Sequence, residues 1–388
     1  MAEDIPQPLV LLICRRKRCP AQRVPQEIMK HASRLLPIAI ATLFAIVVSM
    51  TAASAAPATG PKLEVDPWWP KPLPEGWITG RLGGVCVDSH DHVIVTNRRD
   101  ITDEEAETSR QAPSVLIFDQ AGNLAASWSG DWDALPGTIH GCFADHEDNI
   151  WITGHRDGIV QKYSHDGKLL LQIGKRGVVD TDDGTQKGKS LNTGRSGFFN
   201  PAGVVIDPAN GDVYVADGYG NRRVAVFDKS GKFLRQWGRQ ATPEETRRGE
   251  PAVFSEVVHC IAMSNAGLLY VCDRQGDRVQ VFDKMGTFQK NIWIRTGTPT
   301  LPDERGTVWC VDFSHDRAQK YLYVMNGRNE QVHILDHATG TILTTFGRPG
   351  HQLGNFTHGH TLAVDSKGDV YVAETDTGRR IQKFKVVK

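Results

Sequence analysis

The 388-residue chain lacks any charge imbalance: 45 Lys and Arg stand against 45 Asp and Glu. Without net charge there is no electrostatic basis for holding a polyanion, so nucleic acid is not an expected partner. Cysteine is scarce, with seven residues, far too few for a disulfide scaffold. Long apolar runs are missing with one exception, residues 35–50. Beyond residue 55 no segment shows convincing helical periodicity, so helices are not expected to carry the fold. Hydrophobic residues at 40% and charged residues at 23% are ordinary globular values, which excludes a disordered chain. What is abundant is Gly, at 38, and Pro, at 20, the residues of turns.

The single apolar run follows Lys30, His31 and Arg34 and precedes Ala53-Ser54-Ala55. Basic flank, apolar core and small-residue cleavage site together read as a secretory signal over 29–55. The run falls short of the roughly 20 residues that span a bilayer; left uncleaved, it would be an anchor. Residues 1–28 carry Cys14, Arg15, Arg16, Lys17, Arg18 and Cys19, which do not suit an export signal, and read as an over-extended start. Cleavage after Ala55 would leave a secreted or periplasmic product, 56–388, with no membrane attachment. That product holds Cys86, Cys142, Cys260, Cys272 and Cys310, an odd number without a CxxC pair, and their pairing is not readable from the sequence.

The remainder repeats. Six strands of one type recur, HVIVTN (92–97), NIWIT (149–153), DVYVAD (212–217), LLYVCD (268–273), YLYVMN (321–326) and DVYVAE (369–374). Most are followed by a strand such as RVAVFD (223–228) or RVQVFD (278–283). Period-two alternation rich in Val, Ile and Tyr, with Asp-Gly and Asn-Gly neighbours, argues strands and hairpins. About 50 residues and four strands per repeat, six times over, predict an all-β fold, a six-bladed β-propeller forming one domain. The chain ends just after a third strand, so the sixth blade needs an outer strand from elsewhere. Residues 62–66 are expected to supply it and close the ring.

One repeat position carries chemistry. The first strand of each blade turns at Asp88, Asp145, Asp207, Ser264, Ser314 or Asp365. Five residues earlier stand Gly83, His140, Ala202, His259, Trp309 and His360. Histidine thus falls in alternate blades only. Equivalent positions on innermost strands surround the axis, so His140, His259 and His360 are expected to converge there. Three imidazoles with one position open form the ligand set of a catalytic zinc site. His358, two residues before His360, competes for the third place.

The start of a first strand neighbours the end of the second, because the two are antiparallel. Arg98, His155, Tyr219, Arg274, Arg328 and Asp376 are therefore expected on the histidine face. Arg98 and Arg274 share one phase, and such a pair can clamp a carboxylate. Tyr219, beside a metal and arginines, can act as a base if positive charge lowers its pKa. Arg223, Arg278 and Arg380, before the third strands, read as structural ion-pair residues. Trp128, Trp151, Trp237 and Trp309 read as packing.

The blades resemble NHL repeats. The segments TIHGCFADHEDNIWIT, ADGYGNRRVAVFD, VVHCIAMSNAGLLYVCDRQGDRVQVFD and GHTLAVDSKGDVYVAE look like the peptidyl-α-hydroxyglycine α-amidating lyase family, over roughly 62–388. The resemblance implies a zinc-dependent lyase that cleaves a small-molecule or peptide N-acyl-α-hydroxyglycine to an amide and glyoxylate. It implies that His140, His259 and His360 hold the metal, Tyr219 deprotonates the substrate hydroxyl, and Arg98 and Arg274 bind its carboxylate. No organic cofactor is implied. The chain departs from the animal members in three ways. Gly220 follows Tyr219 and Cys272 has no evident partner in its hairpin, where the animal enzymes carry disulfides. Thr361 replaces an acidic residue linked to a structural calcium, which weighs against calcium. There is no copper monooxygenase domain to make the substrate. Two other readings share the fold. One is a non-enzymatic NHL propeller binding a protein or glycan. The other is a lactonase-type hydrolase, whose hard cation would prefer oxygen ligands to these histidines. The polar, Gly-rich stretch 175–197 is expected to be a loop between blades two and three.

Overall fold

The computed structural model describes residues 59–129, 135–179, 191–294 and 305–387. The expected start-site and signal segments, 1–28 and 29–55, lie outside these residues, as do residues 180–190 of the 175–197 stretch. Among the described residues no helix is long and apolar enough to cross a membrane.

Six four-stranded antiparallel sheets form a β-propeller. The innermost strands are Leu82–Val87, Ile139–Ala144, Pro201–Ile206, Val258–Met263, Val308–Phe313 and Gly359–Val364. Each packs against the next, and the last packs against the first, which makes the ring continuous. The sixth blade takes its outer strand from the start of the domain. Lys62–Val65 pairs antiparallel with Ile381–Val387, Lys62 opposite Val387 and Val65 opposite Phe384. The first and last strands of the domain thus share one sheet.

The second strands show why blades cannot fold singly. Val213–Asp217 and Leu269–Asp273 are buried at every residue. Both faces of each sheet are covered by neighbouring blades, so the period-two pattern is filled with apolar residues on each side. Val205, Tyr214 and Val226 of blade three pack with Val258, Ile261 and Val271 of blade four in one such joint. Each buried side chain of this size contributes about 1.5–3 kcal/mol. Outer strands such as Leu169–Ile173 are largely exposed.

The turn aspartates have a local role. Asp88 Oδ1 accepts the amides of His90 and His92, at 2.9 and 2.8 Å, and Asp365 Oδ1 accepts those of Lys367 and Asp369. A carboxylate that binds its own backbone two and four residues on fixes the hairpin. At the other end of the blades, Arg223 bonds Asp217 and Arg278 bonds Asp273, each at 2.9 Å with both side chains fully buried, and Arg380 bonds Glu374 at 2.6 Å. The three arginines are structural, as expected.

One feature departs from the sequence reading, and others lie beyond it. Cys272 does have a partner in its own hairpin: it is bonded to Cys260. Cys86 is bonded to Cys142, joining the inner strands of blades one and two, and Cys310 has no disulfide partner among the described residues. Opposed positions on an antiparallel hairpin need not be close in sequence, which is why spacing alone hid the pair. Among the described residues two short helices also occur, Asp103–Ala106 and Pro243–Arg248. Neither buries a residue, so neither has apolar periodicity. Each is started by a capping box, Thr102 with Glu105 and Thr242 with Glu245.

Candidate metal centre on the propeller axis

A bulge interrupts the pairing of every innermost strand near its start. It falls between Leu82 and Gly84, Ile139 and Cys142, Pro201 and Gly203, Val258 and Ile261, Val308 and Cys310, and Gly359 and Thr361. These are the positions of Gly83, His140, Ala202, His259, Trp309 and His360. A bulge re-aims a side chain that the pleat would otherwise send into a sheet face. Blade one cannot use the position this way, since a Cβ on Gly83 would stand 2.6 Å from the Ile139 carbonyl oxygen.

The three histidines are brought together. Their ligand atoms lie within 4.8 Å of one another, and all three residues are buried. His358 does not join them. It turns away at φ 60°, with Nε2 3.7 Å from Asp376.

Two contacts orient the rings. His140 Nδ1 donates to the Ala202 carbonyl at 2.8 Å, and His259 Nδ1 to the Trp309 carbonyl at 2.5 Å. Each acceptor belongs to the equivalent residue of the following blade. The contacts place the proton on Nδ1 and leave Nε2 as a lone pair facing the axis. His360 Nδ1 is turned to the backbone of Gly83, the equivalent residue of blade one, without meeting full hydrogen-bond geometry there. Burial holds all three well below the ordinary imidazole pKa, helped by their mutual proximity and by Arg98 or Arg274, so they are neutral.

This donor set fits a metal. His259 Nε2 is buried with no hydrogen-bond partner among the described residues. His140 Nε2 is approached both by His360 Nε2, at 3.3 Å, and by the Tyr219 hydroxyl, at 3.1 Å, for a single lone pair. Two nitrogens on one tetrahedral zinc are separated by about 3.3 Å when the bonds are 2.0–2.1 Å, which matches the His140–His360 spacing.

The expected neighbours are present. Arg274 Nη1 donates to the Tyr219 hydroxyl at 3.1 Å, and its guanidinium lies 5.3 Å from the Tyr219 ring and 5.0 Å from that of Trp309. Arg274 Nε has no hydrogen-bond partner among the described residues. Arg98 is half-buried, donates from Nε to the Ile139 carbonyl at 2.8 Å, and its charge reaches Tyr219. The expectation of a lowered phenol pKa is not met by the protein groups alone. Burial pushes Tyr219 above its ordinary value, and Arg274 and Arg98 only oppose that rise.

Two more residues belong here. His155 packs edge-on against Tyr219 with ring centres 4.2 Å apart, and lies 5.4 Å from His140. Burial, and then the charges of Arg98, Arg156 and Arg274, lower its pKa to about 3. Its place after a second strand put it on this face, but no phase match marked it. Trp309 packs in the core as expected, and its ring also stands 5.6 Å from His259 and 5.9 Å from His360. It shares the histidine phase, which was the available signal. Beyond the histidines, a cavity of about 750 Å³ follows the inner strands toward Asp207 and Ser264.

Fold and site together define a six-bladed propeller with an axial cluster of three neutral imidazoles, backed by a tyrosine and two arginines. The NHL repeat profile matches residues 198–227. Human NHL repeat-containing protein 3 is 30% identical over 331 residues, covering 82% of this chain and 83% of that protein. The chain belongs to the NHL repeat family. It is also 27% identical to Xenopus laevis peptidyl-glycine alpha-amidating monooxygenase B, over 80% of this chain and 34% of that one. It is 27% identical to Drosophila melanogaster peptidyl-alpha-hydroxyglycine alpha-amidating lyase 1, over 74% and 51% respectively. The chain therefore spans about a third and about half of the lengths of these two relatives. Among solved structures, a streptogramin B lyase aligns over 84% of this chain and 98% of its own, with a TM-score of 0.48 and 13% identity.

Proposed function

We propose that the protein is an exported, zinc-dependent carbon–nitrogen lyase that cleaves N-acyl-α-hydroxyglycines to an amide and glyoxylate. The observation that carries this reading is the chain of contacts from the axial histidines through Tyr219 to Arg274. The distant relatives named as amidating lyases support the reaction class. The run 35–50 followed by Ala53-Ser54-Ala55 supports export.

His140, His259 and His360 would hold the metal through Nε2. When bound, zinc supplies a Lewis acid that lowers the pKa of a hydroxyl brought to it. Arg98 and Arg274 would take the substrate carboxylate, a charge-assisted contact that fixes the carbinol carbon. With His140 Nε2 holding the metal, the Tyr219 phenol would lose its acceptor and keep the Arg274 donor. That environment favours the phenolate, which takes the proton of the substrate hydroxyl. The electrons of that O–H bond form the aldehyde C=O, the C–N bond breaks, and the proton passes to the amide nitrogen. The products are R–CO–NH₂ and glyoxylate; no water is consumed.

The test is glyoxylate release from an N-acyl-α-hydroxyglycine by protein purified without chelators. Release that EDTA abolishes and zinc restores supports the proposal. Bound metal without glyoxylate removes the substrate assignment and leaves the metal site standing; protein without stoichiometric metal, indifferent to His140→Ala, favours the non-enzymatic binding propeller.

A further inference from the structure

The turn carboxylates at the far end of the ring do one thing in common and one thing differently. In each blade that carries one, the second oxygen, Oδ2, faces a side chain. Asp145 Oδ2 meets Trp151 Nε1 at 2.8 Å and Lys162 Nζ at 3.1 Å. Asp207 Oδ2 meets Lys284 at 2.5 Å, and Asp365 Oδ2 meets the Tyr371 hydroxyl at 3.0 Å. None of these partners is an imidazole, a thiol or a second carboxylate. Blade one is different. Asp88 Oδ2 faces two imidazoles, His92 Nδ1 at 2.9 Å and His165 Nε2 at 3.0 Å.

We infer that Asp88, His92 and His165 form a second metal site, a two-histidine, one-carboxylate site for a divalent transition cation such as zinc, clamping blade one to blade two. His92 lies on the blade-one turn, and His165 on the turn between the third and outer strands of blade two. The three ligand atoms lie within 4.8 Å of one another. The 2.9 and 3.0 Å separations need only a few tenths of an ångström of expansion to reach the edge of about 3.3 Å that 2.0–2.1 Å bonds require. Asp88 is pre-oriented, because its Oδ1 is already committed to the turn amides. The His165 turn is held by Trp128 Nε1, which donates to the His165 carbonyl at 3.1 Å. His92 and His165 are about one-third exposed while the carboxylate is buried, so a cation can arrive from solvent onto a fixed anion. Imidazole with carboxylate suits zinc, copper or nickel rather than calcium or magnesium.

The same joint is tied by the Cys86–Cys142 bond and by Ser89, whose amide and hydroxyl donate to Asp148 at 2.9 and 2.8 Å. The Asp88 site therefore adds a reversible clamp where the inner strand bearing His140 meets blade one.

The experiment is Zn²⁺ titration of the full chain by equilibrium dialysis with elemental analysis, comparing wild type with His165→Gln and, separately, His92→Gln. Each variant should bind one equivalent fewer at saturation and lose the Zn²⁺-induced rise in melting temperature that this site produces. His140→Ala should keep that equivalent, which separates the outcome from any failure of the axial site. Equal binding by wild type and both folded variants, verified by circular dichroism, would overturn the inference, since any extra zinc would then be adventitious. If one variant fails to fold, the other carries the comparison.

Discussion

His155 gives a titration whose magnitude can be worked out. Its ring packs against Tyr219, its Nδ1 is buried without a partner, and its pKa is lowered to about 3. In the unfolded chain a histidine has a pKa near 6.5. Below pH 6.5 the unfolded state therefore binds a proton that the folded state refuses, so stability falls as pH falls, down to about pH 3. The limiting slope is about 1.4 kcal/mol per pH unit. Between pH 7 and pH 5, with partial protonation of the unfolded chain at pH 7, His155 should account for about 2 kcal/mol, and somewhat less because the ring is partly exposed. His155→Phe keeps a ring against Tyr219 and removes the titration. Urea unfolding in the presence of EDTA, at pH 7 and pH 5, measures the difference. The loss of stability over that interval should be smaller in His155→Phe by about 1–2 kcal/mol. An identical loss in both proteins would show that His155 protonates freely in the fold and would refute the burial argument.

Two other substitutions test separate parts of the structure. Arg278→Met leaves Asp273 as an unpaired buried carboxylate and should cost about 3–5 kcal/mol in chemical unfolding, while adding Asp273→Asn should recover part of it. A loss below about 1 kcal/mol would mean the ion pair is not sealed from water. Tyr219→Phe should retain the metal but lower kcat about 100-fold or more, with KM little changed; unchanged turnover would remove Tyr219 from the reaction.

The blade pattern was open to reading because each second strand is buried on both faces and so writes its apolar sequence six times. Ring closure by residues 62–66 followed from counting strands. The axial histidines were legible because a repeat turns sequence phase into angular position, and the recurring bulge preserved that phase. What stayed hidden depends on side-chain direction. Cys260 and Cys272 face each other only once the hairpin register is known. The Trp309 ring lines the site although its residue type suggested packing. His155 was placed on the histidine face by its position after a second strand, but its contact with Tyr219 depends on a loop path that no periodicity records. The capping boxes at Thr102 and Thr242 could have been found, being local motifs, but they sit in segments too short to show amphipathic spacing.

The most direct test of the axial site is the metal content of the protein purified without chelators and dialysed against zinc-free buffer. One retained equivalent of zinc in the wild type, lost on His259→Ala in a protein that still folds, is the predicted result. Wild-type protein emerging free of metal, or a His259→Ala variant that keeps its equivalent, would contradict it.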